Sequence, residues 1–259
     1  MASGEQVQIM QLSVATDLKP GDLGAALNAG WRDFLAHPKY GLFFAAIYVA
    51  TGLFLYFALV ERGEIQWLIG AVAGFPLIAP FAAAGLYEVS RRREAGLPLS
   101  WKSVLGALLG RGDEQLLLMG GLVFIAFSFW LMVAHGIFAI FMSGSNLGAD
   151  WIDLIYTQDG LMMLLFGSVI GGAMAMVFYA VTVFSLPMLV DRDVDVITAI
   201  VVSIGTVLKN AFTLMVWAAV VAVMLLLAIL PFFLGLLVVL PVLGHATWHL
   251  YRRAVARAD

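Results

Sequence analysis

Long apolar runs alternate with short polar stretches along most of this chain. An α-helix rises 1.5 Å per residue, so about 20 apolar residues cross the ~30 Å hydrocarbon core of a bilayer. Six runs reach this length, and the pattern therefore predicts six transmembrane helices. They cover residues 40–60, 65–90, 115–142, 160–190, 211–230 and 231–253.

A second pattern, with apolar residues three and four positions apart, precedes each pair of spans. It covers residues 22–37, 99–109 and 196–210 and predicts three amphipathic helices at the membrane surface. In the first helix, Asn28, Arg32 and Asp33 occupy one face, and the apolar face holds Leu23, Ala26, Leu27, Trp31, Phe34 and Leu35. Each third of the chain thus reads as amphipathic helix, span, span, which suggests a threefold pseudo-repeat; similar composition alone is the alternative explanation.

Composition agrees with a membrane protein, since 63% of the 259 residues are hydrophobic and 12% are charged. Soluble globular domains are about twice as rich in charge. We expect an all-α membrane protein with one integral membrane domain at residues 22–253. A flexible N-terminal tail at residues 1–21 and a C-terminal tail at residues 254–259 would flank it.

Basic residues indicate the orientation of the spans. Of the 14 lysines and arginines, 13 fall on the side that holds both termini and the two long connectors, and Arg62 falls on the other. Because cytoplasmic loops are enriched in Lys and Arg, both termini are expected in the cytoplasm. The run Arg91 to Arg93, with Lys102 and Arg111, also suits anionic lipid headgroups, but orientation of the spans already requires such a cluster and is the favoured explanation. Glu88 lies four residues before Arg92, a spacing that predicts an ion pair across one helical turn.

Several function classes are excluded or disfavoured. The chain has no cysteine, which excludes disulfides, thiolate metal sites and covalent haem attachment. No phosphate-binding loop, dinucleotide fingerprint, nucleophile elbow or nucleic-acid-binding patch is present in the sequence. We expect a protein that is not an enzyme, needs no cofactor and binds no nucleic acid.

The interiors of the predicted spans hold no Asp, Glu, Lys or Arg, which argues against a proton-driven pump. A permease or lipid-handling carrier for an apolar or neutral substrate stays open. Pro76 and Pro80 in the second span and Pro241 in the sixth would kink these helices, and broken helices often form carrier sites.

Two histidines form the candidate ligand site. His245 and His249 are four residues apart on one helix face, a spacing that offers two imidazoles to one metal ion. A haem would need a facing histidine at the same depth, and His135 lies too deep in its span. The alternative is that His245 hydrogen-bonds within the bundle while His249 lies at the headgroup level.

An acidic run suggests a cytoplasmic latch. Asp191, Asp193 and Asp195 would form salt bridges with basic residues at the ends of the other spans, namely Arg91, Arg92 and Arg252. The alternative is that the aspartates cap the helix that follows them.

Small residues mark a helix-packing face in the fourth span. Gly167 and Gly171 are four residues apart, and Gly172 follows Ser168 at the same spacing. Such spacing lets another helix approach closely. The face suggests partners among other membrane proteins or a second copy of this chain, besides the membrane lipids.

Three stretches of the sequence carry a resemblance to a known family, namely residues 186–195, Asn210 and residues 240–251. In these stretches the chain resembles an uncharacterised family of predicted bacterial integral membrane proteins, largely alphaproteobacterial, that carries a domain of unknown function. The resemblance covers residues 22–253. It implies a multi-span protein of the bacterial inner membrane and no particular activity. The leading hypothesis is a non-enzymatic accessory or scaffolding protein; the alternatives are the carrier and a metal- or haem-binding membrane protein.

Overall fold

The computed structural model describes residues 12–61, 75–107, 114–142 and 156–257. These residues are mostly helical. The helices are α1 (Pro20–Ala36), α2 (Pro38–Glu61), α3 (Phe75–Glu94), α4 (Trp101–Gly106), α5 (Gln115–Met142), α6 (Gln158–Thr182), α7 (Ser185–Asp191), α8 (Val196–Lys209), α9 (Ala211–Ile229) and α10 (Leu236–Ala254). Two short strands, β1 (Leu12–Val14) and β2 (Val255–Arg257), pair antiparallel.

Four helical stretches in the described part of the chain are long and apolar enough to cross a membrane. They are Pro38–Ala58, Gln115–Phe141, Gln158–Asp191 and Ala211–Ile229. Helices α3 and α10 are not among these stretches. Their last turns are polar: α3 ends in three arginines and a glutamate, and α10 has two arginines in its last turn, after two histidines. The predicted second span begins at residue 65, and its first ten residues lie outside the described part.

The three prolines expected to kink spans fall within helices. Pro76 and Pro80 occupy the first two turns of α3. Pro241 lies inside α10 and is buried. It packs against Gly41 of α2, where an added methyl group would come within 2.7 Å of the proline ring. The proline in α10 is therefore part of a tight helix contact.

Local capping explains where α8 begins. The side chain of Asp195 accepts hydrogen bonds from the Thr198 backbone N–H at 2.9 Å and the Thr198 hydroxyl at 2.6 Å. These bonds satisfy donors that the first turn of α8 leaves free. The capping role expected for Asp195 is confirmed.

The segment before α1 differs from the flexible tail expected over residues 1–21. Its described part contains β1, which pairs with β2, and Leu18 is buried. Asn210 holds this segment in place: its side chain accepts from the Leu18 N–H at 3.1 Å and donates to the Ala15 carbonyl at 2.7 Å. Likewise β2 occupies residues that were expected to form a C-terminal tail.

Helix α10 lies at the centre of the fold, in contact with α1, α2, α3, α7 and α9. Its side chains Trp248 and Tyr251 are fully buried, as is Trp217 of α9. The closest approach is to α1, where Gly30 faces the backbone of α10. The polar end of α10 is therefore surrounded by other helices.

The orientation of α1 corrects the sequence analysis. Leu23, Ala26 and Phe34 are buried as expected, but Asp33 is buried too, at 2% exposure. Trp31, which was assigned to the same apolar face, is 43% exposed. Asp33 faces α3 and α10, which carry the side chains that compensate this carboxylate.

Candidate functional site

A buried polar cluster lies where α1, α3 and α10 meet. We call it the histidine cluster; its members are Asp33, Ser90, Arg93, His245 and His249. Asp33, Ser90 and His245 are almost completely inaccessible to solvent. Three helices distant in sequence are thus joined by hydrogen bonds at one point.

Asp33 is the acceptor at the centre of the histidine cluster. Its Oδ2 accepts from the Ser90 hydroxyl at 2.6 Å and pairs with His249 Nε2 at 2.8 Å, while Arg93 donates to Oδ1. Burial alone would raise the pKa of Asp33, but the hydrogen bonds from His249 and Ser90 outweigh it and lower that pKa to about 2. Asp33 is therefore a carboxylate at neutral pH.

The tautomer of His245 follows from this arrangement. A hydroxyl has one proton, and Ser90 gives it to Asp33, because an ionised carboxylate only accepts. The 2.8 Å contact between Ser90 Oγ and His245 Nδ1 must then be donated by His245. Nδ1 carries the proton, so the Nε2 of a neutral ring is an acceptor. This Nε2 is buried and has no hydrogen-bond partner among the described residues.

The two histidines face the same cluster, but each already has a protein partner through one ring nitrogen. His245 bonds Ser90, which is the bond within the bundle that was weighed against metal binding, whereas His249, expected at the headgroup level, bonds the buried Asp33. Over the described ranges, no group of three or more His, Cys, Asp or Glu side chains is arranged to hold a metal ion. His135 lies exposed on α5. Metal or haem binding stays a prediction.

A second set of polar contacts surrounds Asp191 at the end of α7. Its Oδ2 accepts from the Tyr251 hydroxyl at 3.0 Å and from Arg252 Nη1 at 3.2 Å. Arg252 Nε also donates to Glu94 at 3.0 Å, and Glu94 accepts from Trp248 Nε1 at 3.1 Å. The structure thus brings together Asp191 and Arg252 from the proposed latch, and adds Glu94 to them.

The remaining latch residues have other positions. Arg91 and Arg92 both pair with Glu88 on their own helix, with shortest distances of 2.7 Å. The spacing of Glu88 and Arg92 predicts this pair, and it is confirmed. Asp193 is exposed in the loop before α8, and Asp195 caps that helix. Of the residues proposed for the latch, Asp191 and Arg252 form an ion pair, while Arg91, Arg92 and Asp195 bond other groups.

The glycine face of α6 divides into two parts. An added methyl group at Gly171 would come within 2.7 Å of the Trp130 ring of α5, so Gly171 packs inside the chain. At Gly167 and Gly172 nothing lies within 4 Å among the described residues. Only these two positions leave room for another helix.

Asp33, Ser90 and Arg93 are site residues that the sequence pattern did not predict. Periodicity placed Asp33 on the exposed face of an amphipathic helix, and Ser90 looked like the end of an apolar run. One feature of the sequence did point to Asp33. Its helix neighbours Gly30 and Phe34 are small or apolar, which suits a position on a buried face.

A family model supports the membrane assignment. Residues 68–191 match the family described as "Predicted integral membrane protein (DUF2189)". This matched range is shorter than residues 22–253, over which the sequence resembles the family. It includes α3 and α7 but ends before Asn210 and α10. No curated protein and no solved structure matches the chain. The chain is accordingly a predicted integral membrane protein with several helices able to span a membrane, and the family description names no activity.

Proposed function

We propose that the chain crosses the bacterial inner membrane six times with both termini in the cytoplasm. Four spans are the stretches apolar enough to cross a membrane. The other two are α3, extended by the apolar residues before it, and α10. The polar ends of α3, α7 and α10 meet around Glu94 and Asp191, as expected if these ends lie at one membrane surface.

The order of helices supports a threefold pseudo-repeat within this topology. Helices α1 to α3, α4 to α7 and α8 to α10 each begin with a short helix that two longer segments follow. The last segments of the three units, α3, α7 and α10, contact one another. Tyr87 and Trp248, each seven residues after a proline, lie with ring centroids 6.4 Å apart.

Within this topology, the function we propose is that of a non-enzymatic accessory or scaffolding protein. It would associate through α6 with another membrane protein or with a second copy of the chain, and otherwise contact lipid. The observation that carries this proposal is the outer face of α6. In the most apolar 18 residues of this span, no residue is buried. No atom of the described residues would lie within 4 Å of a methyl group added at Gly172. Small residues on a span let a partner helix pack closely.

The chemistry of the histidine cluster supports a structural role over a catalytic one. A serine nucleophile needs a base that takes its proton. Ser90 instead donates to Asp33, whose pKa of about 2 makes it a weak base, and the Ser90 side chain is fully buried. The carrier alternative receives less support, because Pro241 and Gly244 pack tightly against Gly41 and Leu86.

Substitution of Gly172 by Ile tests the association. We expect it to abolish co-purification of a stoichiometric membrane partner, or to convert a homo-oligomer to monomer, by native mass spectrometry in mild detergent. Gly121→Ile on α5 is the matched control, since its position is equally open, and it should leave the assembly intact. Gly171→Ile is unsuitable because it would disrupt packing against Trp130.

The scaffolding proposal fails if the wild-type protein is a monomer without a partner. It also fails if Gly172→Ile leaves a partner bound. A monomer that transfers lipid between vesicles would favour the carrier.

A further inference from the structure

A cleft opens beside the histidine cluster, between the junction of α1 with α2 and the loop that joins α3 to α4. Its volume is about 420 Å³, and its lining includes the side chains of His37, Lys39 and Arg93. One lysine, one arginine and one histidine therefore line the same small cavity. Leu97 and Leu99 line the same cleft and give it an apolar part.

The charges in the cleft are only partly compensated. Arg93 donates to Asp33 through Nη1, but its side chain is 38% exposed and still lines the cavity. Asp33 is already shared with Ser90 and His249. No carboxylate of the described residues pairs with Lys39, whose Nζ lies 4.9 Å from the centroid of the Tyr40 ring. A positive charge is thus available for an anion.

The junction of α1 and α2 holds two of these side chains together. His37 and Lys39 flank Pro38, the first residue of a 24-residue helix. The end of this helix adds little positive charge, because α1 ends at Ala36 beside it and the Tyr40 N–H donates to the His37 carbonyl at 3.3 Å. The attraction for an anion therefore comes from the basic side chains in the cavity.

Aromatic residues place the cleft at the depth of lipid headgroups. The Trp101 ring packs edge-on against Tyr40, with centroids 4.6 Å apart, and against Phe43 at 5.1 Å. Trp101 is 38% exposed, and Leu97 beside the cleft is 43% exposed. Tryptophan and tyrosine concentrate where the bilayer meets water.

From these observations we propose that the cleft binds the phosphate of an anionic phospholipid headgroup. Lys39 and the exposed donors of Arg93 contact the phosphate oxygens, and His37 lines the same side. Leu97 and Leu99 contact the apolar part of the lipid. Arg91 and Arg92, which the sequence makes equally attractive for headgroups, are instead occupied by Glu88.

Lipid binding to the purified full-length chain tests this proposal. We expect phosphatidylglycerol to bind more tightly than phosphatidylcholine when each is titrated in neutral detergent and followed by native mass spectrometry. Lys39→Gln should weaken phosphatidylglycerol binding about five-fold, which corresponds to ~1 kcal/mol for one basic residue near a charged headgroup. Lys102→Gln is the matched control: this exposed lysine of α4 is nearby but does not line the cleft.

Two further results separate the sources of the phosphate. Competition by millimolar inorganic phosphate, lost in Lys39→Gln, supports the phosphate site and assigns it to a soluble anion. Equal weakening in Lys39→Gln and Lys102→Gln would overturn the proposal, because it would show attraction by surface charge alone. Equal binding of the two lipids would overturn it as well. The test is independent of Gly172, which lies on another helix.

Discussion

Gly30 of α1 lies directly against Ala246 of α10. A methyl group at position 30 would come within 2.5 Å of the Ala246 backbone nitrogen and 2.7 Å of the Val242 carbonyl oxygen. Both atoms belong to backbone, which cannot move aside as a side chain can. The two helices therefore approach as closely as they do because residue 30 has no side chain.

Gly30→Ala should destabilise the protein. Forcing a methyl group into a packed contact costs about 1–3 kcal/mol. We expect a lower free energy of unfolding in SDS titrations of the detergent-solubilised protein. Gly24→Ala on the same helix is the control, since nothing described lies within 4 Å of it. It should be neutral or stabilising by about 0.5–1 kcal/mol, as alanine favours helix; a loss equal to that of Gly30→Ala would contradict the predicted contact.

Acid should weaken the fold through Asp33. Its pKa is lowered to about 2 in the folded chain from an ordinary value of 3.8, so the folded state favours the carboxylate. This contribution, about 2 kcal/mol, is complete above pH 3.8 and disappears as the pH falls towards 2. Unfolding titrations between pH 2 and 6 would measure it.

Asp33→Asn should flatten that part of the pH profile and lower stability at pH 6. Asp195→Asn serves as the comparison, because Asp195 is an exposed capping carboxylate and asparagine also caps helices. An unchanged acid slope in Asp33→Asn would mean that other carboxylates cause it.

His245 should be protonated on Nδ1 and not on Nε2 when neutral. The reason is the single proton of Ser90, which is directed to Asp33. Nitrogen-15 NMR of histidine-labelled protein distinguishes a protonated from an unprotonated ring nitrogen and assigns the tautomer. Ser90→Ala removes the constraint and should let the Nε2 tautomer appear. An Nε2-protonated ring in the wild-type protein would refute the assigned direction of these hydrogen bonds.

Asn210 should control the order of residues 12–18. Asn210→Ala removes its two bonds to this segment, the one to Leu18 and the one to Ala15. We expect faster amide hydrogen exchange there by mass spectrometry, with little change in α9. Asn28→Ala, which removes an exposed bond to Arg32, is the control and should leave the segment protected. Equal exchange in both variants would show that pairing of β1 with β2 is enough to keep residues 12–18 ordered.

Local patterns in the sequence predicted those features whose partners are close along the chain. The Glu88–Arg92 pair and the Asp195 cap each join residues three or four positions apart. The i, i+4 spacing likewise placed His245 and His249 on the same side of one helix. In each case helix geometry alone fixes which side chains are neighbours.

The partners of the histidines could not be predicted, because Asp33 is 216 residues from His249 and Ser90 is 155 from His245. Tertiary packing alone brings them together. For the same reason periodicity assigned Asp33 to an exposed face: the rule assumes that a charged residue faces water, whereas Arg93, Ser90 and His249 replace water here. The short strands were missed because each gains its hydrogen bonds from the opposite end of the chain.

The long separation between α1 and α10 sets an order for folding during synthesis. The ribosome makes Gly30 and Asp33 early and Ala246 and His249 more than 200 residues later. Until then α1 lacks its largest contact surface, which is α10, and Asp33 has Ser90 and Arg93 as partners but no histidine. The first helix therefore waits partly docked, while the spans between it and α10 insert. Docking of α1 against α10 is then the last step of folding. A chain that stalls before α10 is made leaves this amphipathic helix accessible to chaperones and proteases.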